Sequence, residues 1–316
     1  MTSSNSKVKT LVSSIILALA GLSMLMGCAS NTPEPIPAPS EYNQEIMDWH
    51  QQRNDRLNQP DGWLTLSGLF WLKAGKNTFG ASPENDLVFP GIDILPQLGT
   101  LILIGDSVSI QVVEGVQITI QDSVITVTGL SMDTSGEPDL MQWGSLTWYI
   151  IERGERIGVR LKDSAHPNYV NFKPTELFPI DENWIIEATL VPFDTVTTVE
   201  IINVLGDSSP SATPGLLHFD ILGQALTLTP LADPDDERYF IIFGDATNGF
   251  STYGAGRFLV IDAADEKGNT SIDFNKSYNM PCVFSPYATC PLPPEENLLP
   301  IAIEAGEKSY MIAGGH

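Results

Sequence analysis

The chain has 316 residues, with 39 acidic side chains against 16 basic ones and a formal net charge of −23. A field this negative repels nucleic acid and anionic lipid headgroups, so neither is expected as a partner. Cations and neutral molecules are permitted, and the length is sufficient to bury a large hydrophobic core.

The N-terminal segment has the pattern of a secretory signal. Two lysines precede an apolar run at 11–26, which is too short to favour spanning a bilayer. The run ends in the tetrapeptide LMGC, which resembles a bacterial lipobox. This resemblance implies a lipoprotein signal peptide at 1–27 and a lipidated Cys28. The protein is then expected in the cell envelope, held at a membrane by its lipid, and more often the outer membrane than the inner one if the organism has both. The alternative is an ordinary signal peptide without lipidation.

The next two segments are a predicted tether and a predicted helix. Residues 28–40 are rich in proline, so an extended, semi-rigid tether is expected. Apolar residues recur at helical spacing through 41–57, which predicts an amphipathic helix. His50, Arg53 and Arg56 belong to this helix, and packing or solvent exposure is expected of them rather than catalysis.

Short β-rich runs separated by turn residues fill most of the remaining chain. The predicted strands are 101–104, 107–113, 117–121, 124–127, 146–151, 157–161, 184–191, 199–204, 239–243 and 257–261. Such spacing predicts a mainly β protein built from sandwich or barrel parts. The polar segment 131–142 marks a boundary, which divides the chain into a helix plus first β subdomain (41–141) and a second β subdomain (142–316).

The opening of the first β subdomain resembles a forkhead-associated sandwich. The resemblance lies in GKNTFG at 75–80 and NDLVF at 85–89. Ala81 stands where those domains carry an arginine that recognises phosphothreonine. The resemblance therefore implies a sandwich-like architecture without phosphopeptide recognition.

The stretch 273–308 is long, proline-rich and irregular. A loop of this length in a compact domain is usually functional or tied down. It contains Cys282 and Cys290, for which a disulfide is predicted in an oxidising compartment. The alternative is a pair of thiolate metal ligands, which would need further donors such as His218 or His316. Nothing in the spacing selects a metal, so none is predicted.

Polar residues in and around this loop form a predicted ligand site. The candidate ligand-binding residues are Arg257, Asp273, Asn275, Lys276, Tyr278, Glu304, Glu307 and Lys308. Arg257 can present a planar fork to a carboxylate or phosphate. Asp273 and Glu304 can act as acid and base, or accept hydrogen bonds from a hydroxyl. The alternative is a buried ion-pair network that holds the loop against a sheet.

Four sequence blocks carry a resemblance to a known family. They are GDATNG at 244–249, TYGAGRF at 252–258, DFNKSYNMPC at 273–282 and AGEK at 305–308. Together they resemble the family catalogued as domain of unknown function 1684, a set of uncharacterised bacterial and archaeal proteins. Met280 stands where other members often carry a second proline. The resemblance implies no activity.

Three hypotheses of function follow. The first is binding of a small polar or anionic ligand, or of an envelope partner protein, near Arg257 and Asp273. The second is an envelope hydrolase that uses Asp273 or Glu304 as acid or base. The third is a purely structural lipoprotein. Nucleotide, zinc and common nucleophile motifs are absent from the sequence, so no cofactor is expected.

Overall fold

A computed structural model of the chain describes residues 40–310, except for the side chain of Val196. The predicted signal peptide at 1–27, Cys28 and nearly all of the predicted tether lie outside the described residues, as does His316. The described part is mainly β, as predicted, with one long helix at its start. None of its helices is long and apolar enough to cross a membrane.

The first element is the helix α1, Glu41–Leu57, which confirms the predicted helix. It begins where the Ser40 hydroxyl accepts a hydrogen bond from the Asn43 N–H at 3.1 Å, which satisfies one free donor of the first turn. Its apolar face buries Ile46 and Leu57 completely or nearly so. The helix is therefore held by packing against the β part.

Within residues 40–310, eighteen strands, one further short helix and six 3-10 turns follow. In the first half the strands are β1 (Leu66–Trp71), β2 (Gly75–Gly80), β3 (Leu87–Val88), β4 (Gly99–Ile104), β5 (Ser107–Val112), β6 (Ile118–Ile120), β7 (Ser123–Ile125), β8 (Val127–Leu130), β9 (Met141–Trp143), β10 (Leu146–Arg153) and β11 (Arg156–Asp163). The short helix α2 (Pro167–Val170) precedes β12 (Ile185–Ile202), β13 (Ser208–Ile221), β14 (Gln224–Leu228), β15 (Arg238–Phe243), β16 (Arg257–Asp262), β17 (Asn269–Asp273) and β18 (Tyr278–Asn279). The 3-10 turns are Trp63–Thr65, Asp133–Ser135, Glu182–Trp184, Phe274–Lys276, Pro281–Val283 and Glu295–Asn297.

The first eleven strands form two sheets over one core. A six-stranded sheet has the order β1-β11-β10-β9-β6-β7, and a five-stranded sheet has the order β3-β2-β4-β5-β8. Phe79, Phe89 and Trp148 lie at the centre of the shared core, with ring centroids 5.3 to 5.7 Å apart. The forkhead-associated-like arrangement of these sheets stays a prediction.

The first β part is longer than predicted. The expected boundary at 141/142 falls inside β9, and the hairpin β10–β11 pairs with β1 and β9. Strand pairing therefore carries the first part to Asp163. The segment 131–142 looks like a linker because it is polar, but it is a connection within this part that contains a 3-10 turn and most of β9.

The second part contains a four-stranded sheet and a three-stranded sheet. Their orders are β14-β13-β12-β17 and β15-β16-β18. The predicted strands 184–191 and 199–204 are one long strand, β12, whose pairing with β13 shifts register between Pro192 and Thr197. This irregularity hides the continuity of the strand in the sequence. Buried residues of both sheets share a core that includes Leu217, Phe243 and Phe274.

A third core lies between the end of α1, the three-stranded sheet and the loop 282–290, which we call the cysteine loop. Leu57, Phe258 and Phe284 are among its buried members. This core fixes α1 against β16 and β18. It thereby positions the polar face of α1 over the predicted ligand residues of the C-terminal stretch.

Candidate ligand site

Arg257 is the most deeply buried of the predicted ligand residues. Its side chain is fully buried and forms an ion pair with Asp245, with Nη2 2.8 Å from the carboxylate. Nη2 also donates to the Ile303 carbonyl at 2.8 Å, and Nη1 donates to the Ala305 carbonyl. Burial lowers the pKa of the guanidinium, and the charge of Asp245 opposes this effect. Arg257 thus holds the start of β16 to residues 303–305. Its two terminal nitrogens are occupied by these bonds and are not available to a ligand.

Glu307 is also fully buried, at the junction of α1 with the C-terminal stretch. Its Oε1 accepts hydrogen bonds from Arg53 Nε at 2.7 Å and from the Thr175 hydroxyl at 3.0 Å. Its Oε2 accepts from the Asn279 N–H at 2.7 Å. These three hydrogen bonds all come from groups of the same chain, as in a buried ion pair that holds a helix in place.

Asp273, Asn275 and Lys276 lie beside the first turns of α1. Asp273 accepts a hydrogen bond from the Tyr42 hydroxyl at 2.8 Å, and Asn275 Nδ2 donates to the same hydroxyl at 2.9 Å. Lys276 pairs with Glu45 at 2.7 Å. Burial, together with the hydrogen bond to Asp273, raises the pKa of Tyr42. These side chains clamp the helix to the loop.

Glu304 and Lys308 lie in a different place. They line a cavity of about 880 Å³ together with Phe178, Phe250 and Tyr310. Lys308 also packs over the Phe178 ring at 5.5 Å. Among the described residues, no hydrogen bond joins Glu304 to Asp273, so the predicted acid and base belong to separate clusters. The hydrolase hypothesis stays a prediction.

The two cysteines lie side by side as free thiols in the structure, without the predicted disulfide. The Cys282 N–H donates to the Cys290 sulfur at 3.0 Å. The possible metal donor His218 is exposed on β13. Within residues 40–310, no cluster of three or more cysteine, histidine or acidic side chains could hold a metal ion.

Tyr278 is the predicted residue that faces a cavity beside α1. This cavity has a volume of about 800 Å³ and is lined by Trp49, Arg53, Arg56, Asp235, Asp236, Glu237, Arg238, Tyr239, Phe240, Val260 and Tyr278. We call it the arginine cavity, because it collects three of the seven arginines of the chain. A smaller cavity of about 290 Å³ adjoins it through the shared residues Arg53, Phe240 and Tyr278.

The arginines act directly on Tyr278. The Arg53 guanidinium stacks over the Tyr278 ring with 4.3 Å between its central carbon and the ring centroid. Burial raises the pKa of the Tyr278 hydroxyl, although the charges of Arg53, Arg56 and Arg238 lower it. The phenol is therefore neutral near pH 7 and can donate a hydrogen bond.

The sequence did not indicate this site. Arg53 and Arg56 belong to a helix whose polar face looks solvated, and Arg238 follows an acidic turn. Their spacing of three residues, which puts Arg53 and Arg56 on one helix face, was the available signal. Only the docking of α1 against β15 and β16 brings Arg238 to the same place.

Comparison with known proteins agrees with the resemblance of the C-terminal blocks. Residues 170–308 match a family described as "Protein of unknown function (DUF1684)", which is somewhat less than half of the chain. The second β part is therefore similar to this family. The match includes Arg238 and Tyr278 and leaves out α1 with Arg53 and Arg56.

A solved structure also matches. It is the solution NMR structure of an uncharacterized protein from Haloarcula marismortui, with 27% identity and a TM-score of 0.38. The alignment covers 45% of this chain and 79% of that one. No curated protein matches the chain.

Proposed function

We propose that the protein binds a small anionic molecule, with a carboxylate or phosphate group, in the arginine cavity. The observation that carries this proposal is the convergence of Arg53, Arg56 and Arg238 on Tyr278 in a chain with a net charge of −23. Arginine is the side chain best suited to planar, bidentate contact with such groups. An anionic ligand is compatible with an acidic protein when arginines contact its charged group directly.

Arg56 and Arg238 supply the free charge. Both are exposed, and among the described residues neither forms an ion pair with a carboxylate. Arg53 is different, because its Nε is bonded to Glu307 and its Nη2 to the Asn279 carbonyl at 2.8 Å. Arg53 therefore forms a fixed floor, and the two exposed arginines contact the ligand.

The remaining lining determines the kind of molecule that fits. Trp49, Phe240 and Tyr278 offer aromatic faces, which favour a ligand with a flat or apolar body beside its anionic group. Asp235, Asp236 and Glu237 line the same cavity and disfavour a molecule with several negative charges. An aromatic monocarboxylate satisfies both conditions, as does an amino acid whose ammonium group lies near the acidic turn.

Thermal unfolding of purified full-length protein tests the proposal. We expect benzoate or phenylalanine to raise the unfolding temperature, because a ligand at a hundredfold excess over its Kd stabilises the fold by about 2.7 kcal/mol. Arg238→Gln should abolish the shift without lowering the stability of the unliganded protein. Lys267→Gln removes the same charge from an exposed turn outside the cavity, and its shift should match that of the wild type. Equal shifts in both variants would refute the site.

We also propose that the protein is anchored in the cell envelope through a lipid on Cys28. The support is the lipobox-like tetrapeptide at 25–28, which follows an apolar run. Metabolic labelling with an alkyne fatty acid tests this location. The wild-type chain should incorporate the label and a Cys28→Ser variant should not; labelling of both would contradict the proposal.

A further inference from the structure

The cysteine loop places one reachable sulfur next to one buried sulfur. Cys290 is 3% exposed, whereas Cys282 is partly exposed. The Cys282 N–H donates to the Cys290 sulfur at 3.0 Å, so the two side chains lie side by side. Pro281 and Phe284, which flank Cys282 in sequence, line the smaller cavity beside Trp63. An incoming group can therefore approach Cys282 and cannot reach Cys290 first.

Arg160 lies beneath this loop without a carboxylate partner. It is 4% exposed, and its Nη2 donates to the Thr289 hydroxyl at 3.2 Å. Its Nε has no hydrogen-bond partner, and among residues 40–310 no acidic side chain forms an ion pair with it. A buried cation without a counter-ion is costly, because burial removes its hydration. The neighbouring groups that can become negative are the two thiols.

The two thiols differ in their surroundings: the Cys282 thiol donates to the Ala288 carbonyl at 3.5 Å, whereas the Cys290 sulfur accepts the Cys282 N–H. The hydrogen bond from the Cys290 thiol lowers the pKa of Cys282 below its ordinary value, and the charge of Arg160 acts in the same direction. The same hydrogen bond and burial raise the pKa of Cys290. Of the two thiols, Cys282 therefore loses its proton more readily, and it is also the more exposed of the two.

We propose that Cys282 and Cys290 form a thiol–disulfide exchange site, with Cys282 as the attacking sulfur and the buried, unpaired Arg160 as the positive charge beside the loop. The substrate class is an exposed disulfide of a peptide or protein. The Cys282 thiolate attacks one sulfur of that disulfide, a mixed disulfide forms, and the other substrate sulfur leaves as a thiolate. Cys290 then gives up its proton and attacks the Cys282 sulfur.

This second step releases the remaining substrate sulfur as a thiolate, which takes up a proton. The substrate gains two electrons and becomes two thiols, while the pair loses two electrons and becomes a disulfide. The reverse sequence oxidises a substrate dithiol. Arg160 favours the reduced form, because its charge stabilises a thiolate and does not stabilise a disulfide; such a disulfide is easily reduced, unlike a structural one.

Alkylation of the reduced, native, full-length protein by iodoacetamide tests the thiolate. Peptide mass mapping separates Cys282 from Cys28 and Cys290. We expect Cys282 to react with a midpoint pH well below the value of about 8.5 for a free cysteine. Arg160→Gln should raise this midpoint by about one unit, which lowers the rate about tenfold at pH values below both midpoints.

The control is Arg156→Gln, on the same strand as Arg160. Arg156 bonds to Asp207 instead of facing the cysteines, so its loss should leave the alkylation rate unchanged. If Arg160→Gln does not fold, Arg160→Lys and the wild-type pH profile still decide the question, since Arg160→Lys keeps the charge and should keep the low midpoint. A Cys282 midpoint at or above 8.5 in the wild type would overturn the proposal.

Exchange itself is measured with oxidised glutathione as the probe. Wild-type protein should form the Cys282–Cys290 disulfide, and Cys290→Ser should stop at a mixed disulfide on Cys282. Reduced glutathione should then reopen the wild-type disulfide. A pair that is isolated as a disulfide and resists reduced glutathione in the native state would identify a structural bond and refute the exchange site.

Discussion

Replacing Glu307 by alanine is the most direct test of how the C-terminal stretch is held. Its carboxylate receives Arg53, the Thr175 hydroxyl and the Asn279 N–H, at 2.7 to 3.0 Å. The Glu307 side chain is fully buried and that of Arg53 is 13% exposed. Removing the carboxylate therefore leaves a nearly buried guanidinium and a buried N–H without their acceptor.

The expected loss is about 3–5 kcal/mol in the free energy of unfolding, the usual cost of breaking a buried ion pair on one side. This is a large part of a typical total stability of about 5–15 kcal/mol. Glu307→Gln keeps the volume and one acceptor oxygen, so its loss should be smaller, about 1.5–3 kcal/mol, as for a hydrogen bond to a charged group. Nearby Glu304 is exposed, and Glu304→Ala should change stability by less than about 0.5 kcal/mol.

Urea unfolding followed by circular dichroism at pH 7 measures these differences. A double-mutant cycle with Arg53→Met isolates the ion pair, because Glu307→Gln should cost less once Arg53 is gone, by about 0.5–3 kcal/mol. If Glu307→Ala unfolds at the same urea concentration as Glu304→Ala, the pair does not hold α1 and our reasoning fails.

Two further predictions concern pH and backbone geometry. Burial lowers the pKa of His50 below its ordinary 6.5, so the unfolded chain binds more protons below that pH and stability falls as the pH is lowered from 7 to 5. His50→Gln should reduce this slope in urea unfolding; a slope equal to that of the wild type would contradict this reasoning. Gly256 has a φ of +101°, and an added Cβ would lie 2.5 Å from the Phe243 carbonyl oxygen, so Gly256→Ala should cost more than about 2 kcal/mol. Gly249→Ala, with a positive φ and open space around the Cβ, should cost about 1 kcal/mol; equal losses would show that the clash is relieved.

The periodic parts of the chain could be predicted from the sequence. The helix α1 is predicted by the helical spacing of its apolar residues. Strands such as β10 are predicted by the alternation of apolar and polar residues, because most of β10 is buried at every second position. The subdomain boundary was misplaced because polarity alone does not distinguish a connection from a linker. The end of the first part depends on pairing between β1 and β11, about ninety residues apart in the chain, which no local pattern reveals.

The candidate site was only partly predictable for a related reason. Arg257 and Glu307 were selected because basic residues are few in this chain and several lie beside acids in these blocks, and the same grouping fits a buried network. Whether an arginine binds a ligand or its own chain depends on the position of partners such as Asp245, which local sequence does not give. Arg238 was missed because its role depends on a helix that begins almost two hundred residues earlier.

Arg53 connects the docking of α1 to the proposed ligand cavity. Its Nε and Nη2 are bound to Glu307 and to the Asn279 carbonyl, while its ring-facing surface covers Tyr278 in the arginine cavity. An anion bound beside Tyr278 would therefore stabilise the same guanidinium that holds α1. By linkage, a ligand that prefers the docked helix must also strengthen its docking. Protection of α1 amides against hydrogen exchange should consequently rise with ligand in the wild type, and unchanged protection with bound ligand would show that the cavity and the helix act independently.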